Sequence, residues 1–191
     1  MHPRRLRATM SAGEIELIAV ESTAHRVAAR ALVAEYLHWV AEVAQTNYGL
    51  HFDVGAMIES DIGDRSKFYP PSGRFFLVRH ADQFVGIGCL KRLSPDIGEV
   101  QRMYVQPQVR GLGAGRILVE RLILEAWRVG YTKLRLESLK ALAAAHSLYR
   151  SVGFNEIDPY AENSMRDYQA PQALSAYRES AVFMELSPGQ R

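Results

Sequence analysis

The chain has 191 residues, 48% of them hydrophobic, which suits one domain with a sizeable buried core. Its 23 basic and 21 acidic residues leave a net charge of only +2, which implies no nucleic acid or other polyanion as a partner. The one cysteine, Cys89, allows no internal disulfide, and no stretch approaches the ~18 to 20 apolar residues of a membrane span, so a cytoplasmic protein off the membrane is expected.

Residues 1–12 include Arg4, Arg5 and Arg7 but lack the apolar core of a secretory signal; they read as a flexible segment ahead of a single domain over 13–188. Glu14 to Val20 alternates as a strand does, and Ser22 or Thr23 can cap a helix running to about Gln45. In that helix Val33, Leu37, Val40 and Ala44 recur at spacings of 4, 3 and 4, one apolar stripe with Tyr36 and Trp39 off its centre. A short second helix is placed near Val54 to Ser60, before the Tyr69-Pro70-Pro71 break. Arg74 to Arg79 and Gln83 to Arg92 form a predicted hairpin about Ala81-Asp82, with Cys89 as a buried strand residue, and Glu99 to Val105 follows as a third strand.

After Pro107 come a glycine loop and a helix lined by Leu118, Leu122 and Ala126 that Gly130 stops. A strand over Lys133 to Glu137, a helix over Ala141 to Val152, and strands over Phe154 to Ile157 and Ala181 to Leu186 complete the pattern. Asp158 to Ser180 carries Tyr160, Tyr168 and Tyr177 but few regular signals, and reads as a long loop. This order predicts an α/β fold: a mixed, mostly antiparallel sheet covered by helices.

The loop Arg110-Gly111-Leu112-Gly113-Ala114-Gly115 sits between a predicted strand and helix, where small residues let the backbone turn several N–H groups onto one anion. The helix N-terminus adds partial positive charge, and Arg110 or Arg116 can add charged hydrogen bonds, so a pyrophosphate is a fitting ligand. The loop lacks the Gly-Lys-Ser/Thr ending of a P-loop, and its Gly-x-Gly-x-Gly spacing and late position depart from a dinucleotide fingerprint. A connection in which the glycines serve packing alone is the bland alternative.

The segments Glu99-Val-Gln-Arg-Met-Tyr-Val105, Arg110-x-x-Gly-x-Gly115 and Leu148-Tyr-Arg-Ser-Val-Gly-Phe154 together resemble the GNAT N-acetyltransferase family. The resemblance implies acetyl-coenzyme A as cosubstrate, with its pyrophosphate on the loop from Arg110 to Arg116. It also implies a sheet splayed between the strand ending at Val105 and the strand over Lys133 to Glu137. The pantetheine arm would enter that gap and pair with the backbone around Met103, Tyr104 and Val105, as an added strand pairs with an open edge. Ala145 keeps the small residue four positions before Tyr149, whereas Leu142 stands where many members carry Asn.

Acetyl transfer to an amine needs a base for the amine proton, stabilisation of the carbonyl oxygen and an acid for the departing thiolate. By resemblance, Glu99 is the first choice of base with Glu137 as the alternative, Tyr149 is the acid, and the Met103 N–H polarises the carbonyl. Tyr36, Trp39, Phe68, Tyr69, Glu137 and Tyr160 are the candidate acceptor residues. The six histidines and the aspartates make no metal-binding pattern, and no metal is expected. The reading is an N-acetyltransferase acting on a small primary amine, with a homodimer as a compatible assembly. A silent acyl-coenzyme A sensor and a protein-lysine or N-terminal acetyltransferase are the alternatives.

Overall fold

A computed structural model describes residues 14–160 and 171–189, with no account of the side chains of 171–173. The basic stretch expected to be flexible, 1–12, and Tyr168 lie outside the described residues. Strand β1 (Glu16–Ala19) leads to Ser22, whose hydroxyl oxygen accepts the His25 N–H at 3.1 Å and so starts helix α1 (Thr23–Tyr48). Gly49, at φ 67°, ends that helix by donating to the Ala44 and Gln45 carbonyls. The Asp53 carboxylate caps α2 (Val54–Gly63) by accepting from the Ala56 N–H at 2.9 Å.

Strands β2 (Arg74–His80), β3 (Gln83–Arg92) and β4 (Ile97–Val105) extend β1 as an antiparallel meander. The β2–β3 turn is the two-residue pair Ala81-Asp82, both at positive φ as a tight hairpin demands. Helix α3 (Ala114–Val129), β5 (Lys133–Leu139), α4 (Ala143–Ser151), β6 (Asn155–Ile157), α5 (Pro171–Ser180) and β7 (Ala181–Leu186) follow. Seven strands form one mixed sheet in the order β1-β2-β3-β4-β5-β7-β6, antiparallel except where β4 meets β5.

The two faces carry separate cores. Ala29, Leu32, Val33, Leu37, Val40 and Ala44 of α1 pack with Met57 of α2 and Tyr177 of α5 on one face. Leu118, Val119, Leu122 and Ala126 of α3 and Tyr149 of α4 pack on the other. Burying each of these leucines contributes roughly 1.5–3 kcal/mol, enough to fix which helix face meets the sheet. Gly88 is required under α3, because a Cβ there would stand 2.9 Å from Leu118 Cδ2.

One irregularity positions the site. Cys89 pairs with Gln101 and Ile87 with Tyr104, so Arg102 and Met103 together oppose Gly88 as a β-bulge, with Arg102 at φ 54°. A bulge bends its strand and raises the local twist. Accordingly β4 pairs with β5 only at Ile97↔Lys133, Gly98↔Leu134 and Glu99↔Arg135, and beyond Glu99 the two strands part.

The sequence reading of 158–180 as a long loop is corrected over its last ten residues, which form α5. The helix presents only Leu174 and Tyr177 as large apolar residues, too few to set a periodic pattern, and it rests on burial of Tyr177 against the α1 core.

Candidate active site

Where β4 and β5 part they leave a cleft of about 640 Å³, within the usual ~300–1,000 Å³ of small-molecule sites. Val100 to Val105 form one wall and Leu136, Glu137 and Ser138 the other, while Ala141 to Ala145, Leu148 and Tyr149 lie along α4. The small side chains at the start of α4 keep that wall recessed. Past Glu99 the β4 backbone has no β5 partner, so its edge is open to an amide-bearing chain.

The glycine loop closes one end. Gly111 at φ 82° and Gly113 at φ 85° take left-handed backbone that a side chain disfavours, and Gly113 starts α3. Gly115 has a different reason: a Cβ there would stand 3.3 Å from Leu148. The first-turn amides at Ala114, Gly115 and Arg116 have no acceptor inside the helix, and with the helix dipole they suit an anion. Leu112 is the exception in this loop, its side chain exposed and off the cleft wall.

Arg110 and Arg116 both border the cleft, held by local bonds. Arg110 Nε donates to the Val105 carbonyl at 2.9 Å, and its guanidinium lies 5.3 Å from the Trp39 ring and 5.9 Å from Tyr104. Arg116 donates to Ser151 Oγ at 2.7 Å and to Glu120 at 3.3 Å.

The two carboxylate candidates separate. Glu99 is wholly buried and does not line the cleft; it accepts from Tyr160 Oη at 2.9 Å and Gln101 Nε2 at 2.6 Å, with Lys91 at 3.8 Å. Glu137 lies on the cleft wall. Tyr177 donates to its carboxylate, while Oε2 is buried with no hydrogen-bond partner among the described residues. Burial, and then the nearby Glu99 charge, push the Glu137 carboxyl up to about 8, against the pull of Arg102, Tyr177 and Lys91.

Tyr149 lies on the α4 wall, edge-on to Phe154 at 6.0 Å. Burial pushes its phenol well above the ordinary tyrosine value, so it stays protonated at neutral pH. Among the acceptor candidates, Tyr36 and Trp39 border the cleft and cluster with Tyr104, with ring centroids 5.7 to 6.3 Å apart. Tyr104 Oη donates to Glu35 at 2.7 Å.

The other three aromatic candidates are placed elsewhere. Phe68 is fully buried against Phe75, Tyr69 borders a separate cavity beside Arg65 and Phe76, and Tyr160 is buried edge-on to Phe183 with its hydroxyl on Glu99. Each aromatic ring found more apolar contact inside the sheet–helix core than at the cleft. Conversely, Arg102, Gln101 and Tyr177 border or buttress the site without a sequence signal beyond the alternation that puts 99 and 101 on one face.

Among the described residues no helix is long and apolar enough to cross a membrane, and no group of three or more His, Cys, Asp or Glu could hold a metal ion.

Comparison with known proteins points one way. The acetyltransferase (GNAT) family model matches residues 44–154, more than half of the chain. An uncharacterized N-acetyltransferase of Schizosaccharomyces pombe is 30% identical over 109 residues, covering 56% of this chain and 67% of that protein. The IAA acetyltransferase of Azospirillum brasilense is 36% identical over 113 residues, covering 59% and 70%. The fold resembles that of the PaiA N-acetyltransferase of Thermoplasma acidophilum solved with coenzyme A: TM-score 0.63, 16% identity, 91% of this chain and 99% of that one.

Proposed function

The chain is an N-acetyltransferase of the GNAT family, and from that premise we propose that it carries the acetyl group of acetyl-coenzyme A directly to the primary amine of a small molecule. The observation that carries this reading is the wedge between β4 and β5, with open strand edge on one side, loop amides at one end and Glu137 and Tyr149 on its walls. The amides of Ala114, Gly115 and Arg116 bind the pyrophosphate, with Gly111 and Gly113 supplying the turn. The β4 backbone from Met103 to Val105 pairs with the pantetheine amides, and the Met103 N–H, in the bulge, polarises the thioester carbonyl. Ala145 leaves room for the arm.

Glu137 is the general base, in place of Glu99. It borders the cleft and has an oxygen without a partner, whereas the Glu99 oxygens are engaged by Tyr160 and Gln101. In the transfer, the amine nitrogen forms a bond to the carbonyl carbon, the carbon–sulfur bond breaks, the amine proton passes to Glu137 and Tyr149 gives its proton to the sulfur. Glu99 acts at one remove, by holding the Glu137 carboxyl high enough to take a proton from an amine. The small-molecule reading rests on the acceptor side, which Tyr36, Met57 and Tyr177 wall in.

Free thiol release from acetyl-coenzyme A, followed across a broad amine panel, tests the reading. Amine-dependent release that falls in Glu137→Gln supports it. Coenzyme binding without release for any amine would favour the sensor, and release with protein lysines alone would favour a protein acceptor.

A further inference from the structure

Next to the cleft, and sharing Tyr36, Arg102, Glu137 and Ser138 with it, lies an annex of about 60 Å³ between α1, α2 and the parting strands. Arg102, Gln101, Glu137, Ser138 and Tyr177 face otherwise apolar walls built by Leu37, Val40, Phe52, Met57, Leu139 and Leu142.

We propose that the annex receives a carboxylate of the acceptor on the Arg102 guanidinium while the acceptor nitrogen meets Glu137 Oε2, so that the substrate is a small amino acid. This rests on the acetyl-transfer reading and adds to it the chemical class of the amine.

Arg102 is placed with care. Its backbone holds φ 54° at the bulge, a conformation that strains a residue with a side chain, and its guanidinium reaches α2, where Nε and Nη2 both bond the wholly buried Asp61. Asp61 is shared, since Lys67 Nζ also lies 2.5 Å from it. The two bonds fix the plane of the guanidinium and leave Nη1 with no bond among the described residues. Such a fork has donors only, in the geometry that a carboxylate matches. Asp61 keeps Arg102 charged despite its burial.

Glu137 supplies the opposite half. Its Oε2 is a buried acceptor with no partner, and the Arg102 charge acts on its carboxyl and on Tyr36, both of which border the annex. A donor-only cation and an acceptor oxygen on the walls of one recess are complementary to a molecule with a carboxylate at one end and an amine close by. The size agrees: against ~300–1,000 Å³ for a whole ligand, the annex admits one small end group, and the amine then lies at its mouth beside the cleft. Because the surrounding walls are apolar, an acceptor without the carboxylate leaves the Arg102 donors unsatisfied, and polar groups left unpaired discriminate strongly.

The test compares matched triplets, each an amino acid, its amide and its decarboxylated amine, by thiol release from acetyl-coenzyme A with the wild-type protein. The expected result is a kcat/KM at least about tenfold higher for the free amino acid. In Arg102→Gln the three members of a triplet converge, chiefly through a raised KM for the amino acid, with coenzyme A affinity measured alongside to show that the variant is folded. The wild-type ratios decide the matter even if that variant does not fold. Equal or better use of the amides or decarboxylated amines would overturn the carboxylate assignment and leave acetyl transfer standing. Release with no amine of any kind would overturn both.

Discussion

Glu99 and Glu137 lie on neighbouring strands at the point where β4 and β5 part, Glu99 wholly buried and Glu137 half-buried, and only Glu137 borders the cleft. Glu99 is the last β4 residue paired with β5, opposite Arg135, and Glu137 follows Arg135 by two residues on the same face. The inner carboxylate is held by hydrogen bonds and its charge acts on the outer one.

A pH dependence follows. Glu137 accepts a proton only when ionised, and burial and Glu99 push its carboxyl up to about 8, while Arg102, Lys91 and Tyr177 pull the other way. The kcat/KM for acetyl transfer should rise with pH through an inflection near that value, since kcat/KM reports groups of the free enzyme. In Glu99→Gln the inflection should move to lower pH, because a like charge has gone. A flat kcat/KM profile across this range would count against Glu137 as base.

The same shift sets a stability cost with a definite sign. Glu137 has a folded-state value raised from the ordinary 4.5 to about 8, so the folded form holds its proton more tightly than the unfolded chain. The stability this gives is complete below 4.5 and is lost as pH rises through about 8. Glu137→Gln should therefore be inactive yet melt higher than wild type at pH 8, with the difference shrinking toward pH 4.5. Thermal unfolding at several pH values checks this, and a lower Tm for the variant at pH 8 would refute it.

Tyr149→Phe removes the proposed acid while keeping the ring against Phe154. Loss of general acid catalysis typically lowers kcat by about 10²–10⁴-fold. Coenzyme affinity by calorimetry should stay within about threefold of wild type, since changes under 1 kcal/mol are under about fivefold. An unchanged kcat would remove Tyr149 from the chemistry.

Gly113→Asp combines two injuries: a side chain at φ 85°, and a carboxylate where loop amides converge. Coenzyme A binding should fall below detection at concentrations that saturate wild type. Retained affinity would show that the anion sits elsewhere.

Much of this was legible in the sequence because local signals and packing agreed. Ser22 and Gly49 bound α1, the stripe from Val33 to Ala44 is buried, and Ala181 to Leu186 forms β7 as expected. The loop glycines at 111 and 113 were readable since positive φ is a local demand. The identity of the cleft carboxylate was not, because Glu99 and Glu137 differ in where the strands part, and that depends on a bulge at Arg102 that no residue type announces. That Phe68, Tyr69 and Tyr160 lie away from the cleft was unreadable for a related reason: aromatic side chains carry no mark that separates a core ring from a cleft ring. Helix α5, with few apolar positions, was invisible for want of periodicity.

Among the described residues, three pairs at one end are the only ladder pairs between strands β1 to β4 and strands β5 to β7. Mechanically the sheet is a pair of tongs, and on the proposed reading a cosubstrate in the wedge would supply lateral bonds across it. The β4 amide hydrogens between Val100 and Val105 that are not bonded to β3 should exchange rapidly in the free protein and slowly with coenzyme present, and the melting temperature should climb with coenzyme concentration by mass action. On that reading, how firmly the two strand groups grip one another would follow the supply of coenzyme as well as the sequence.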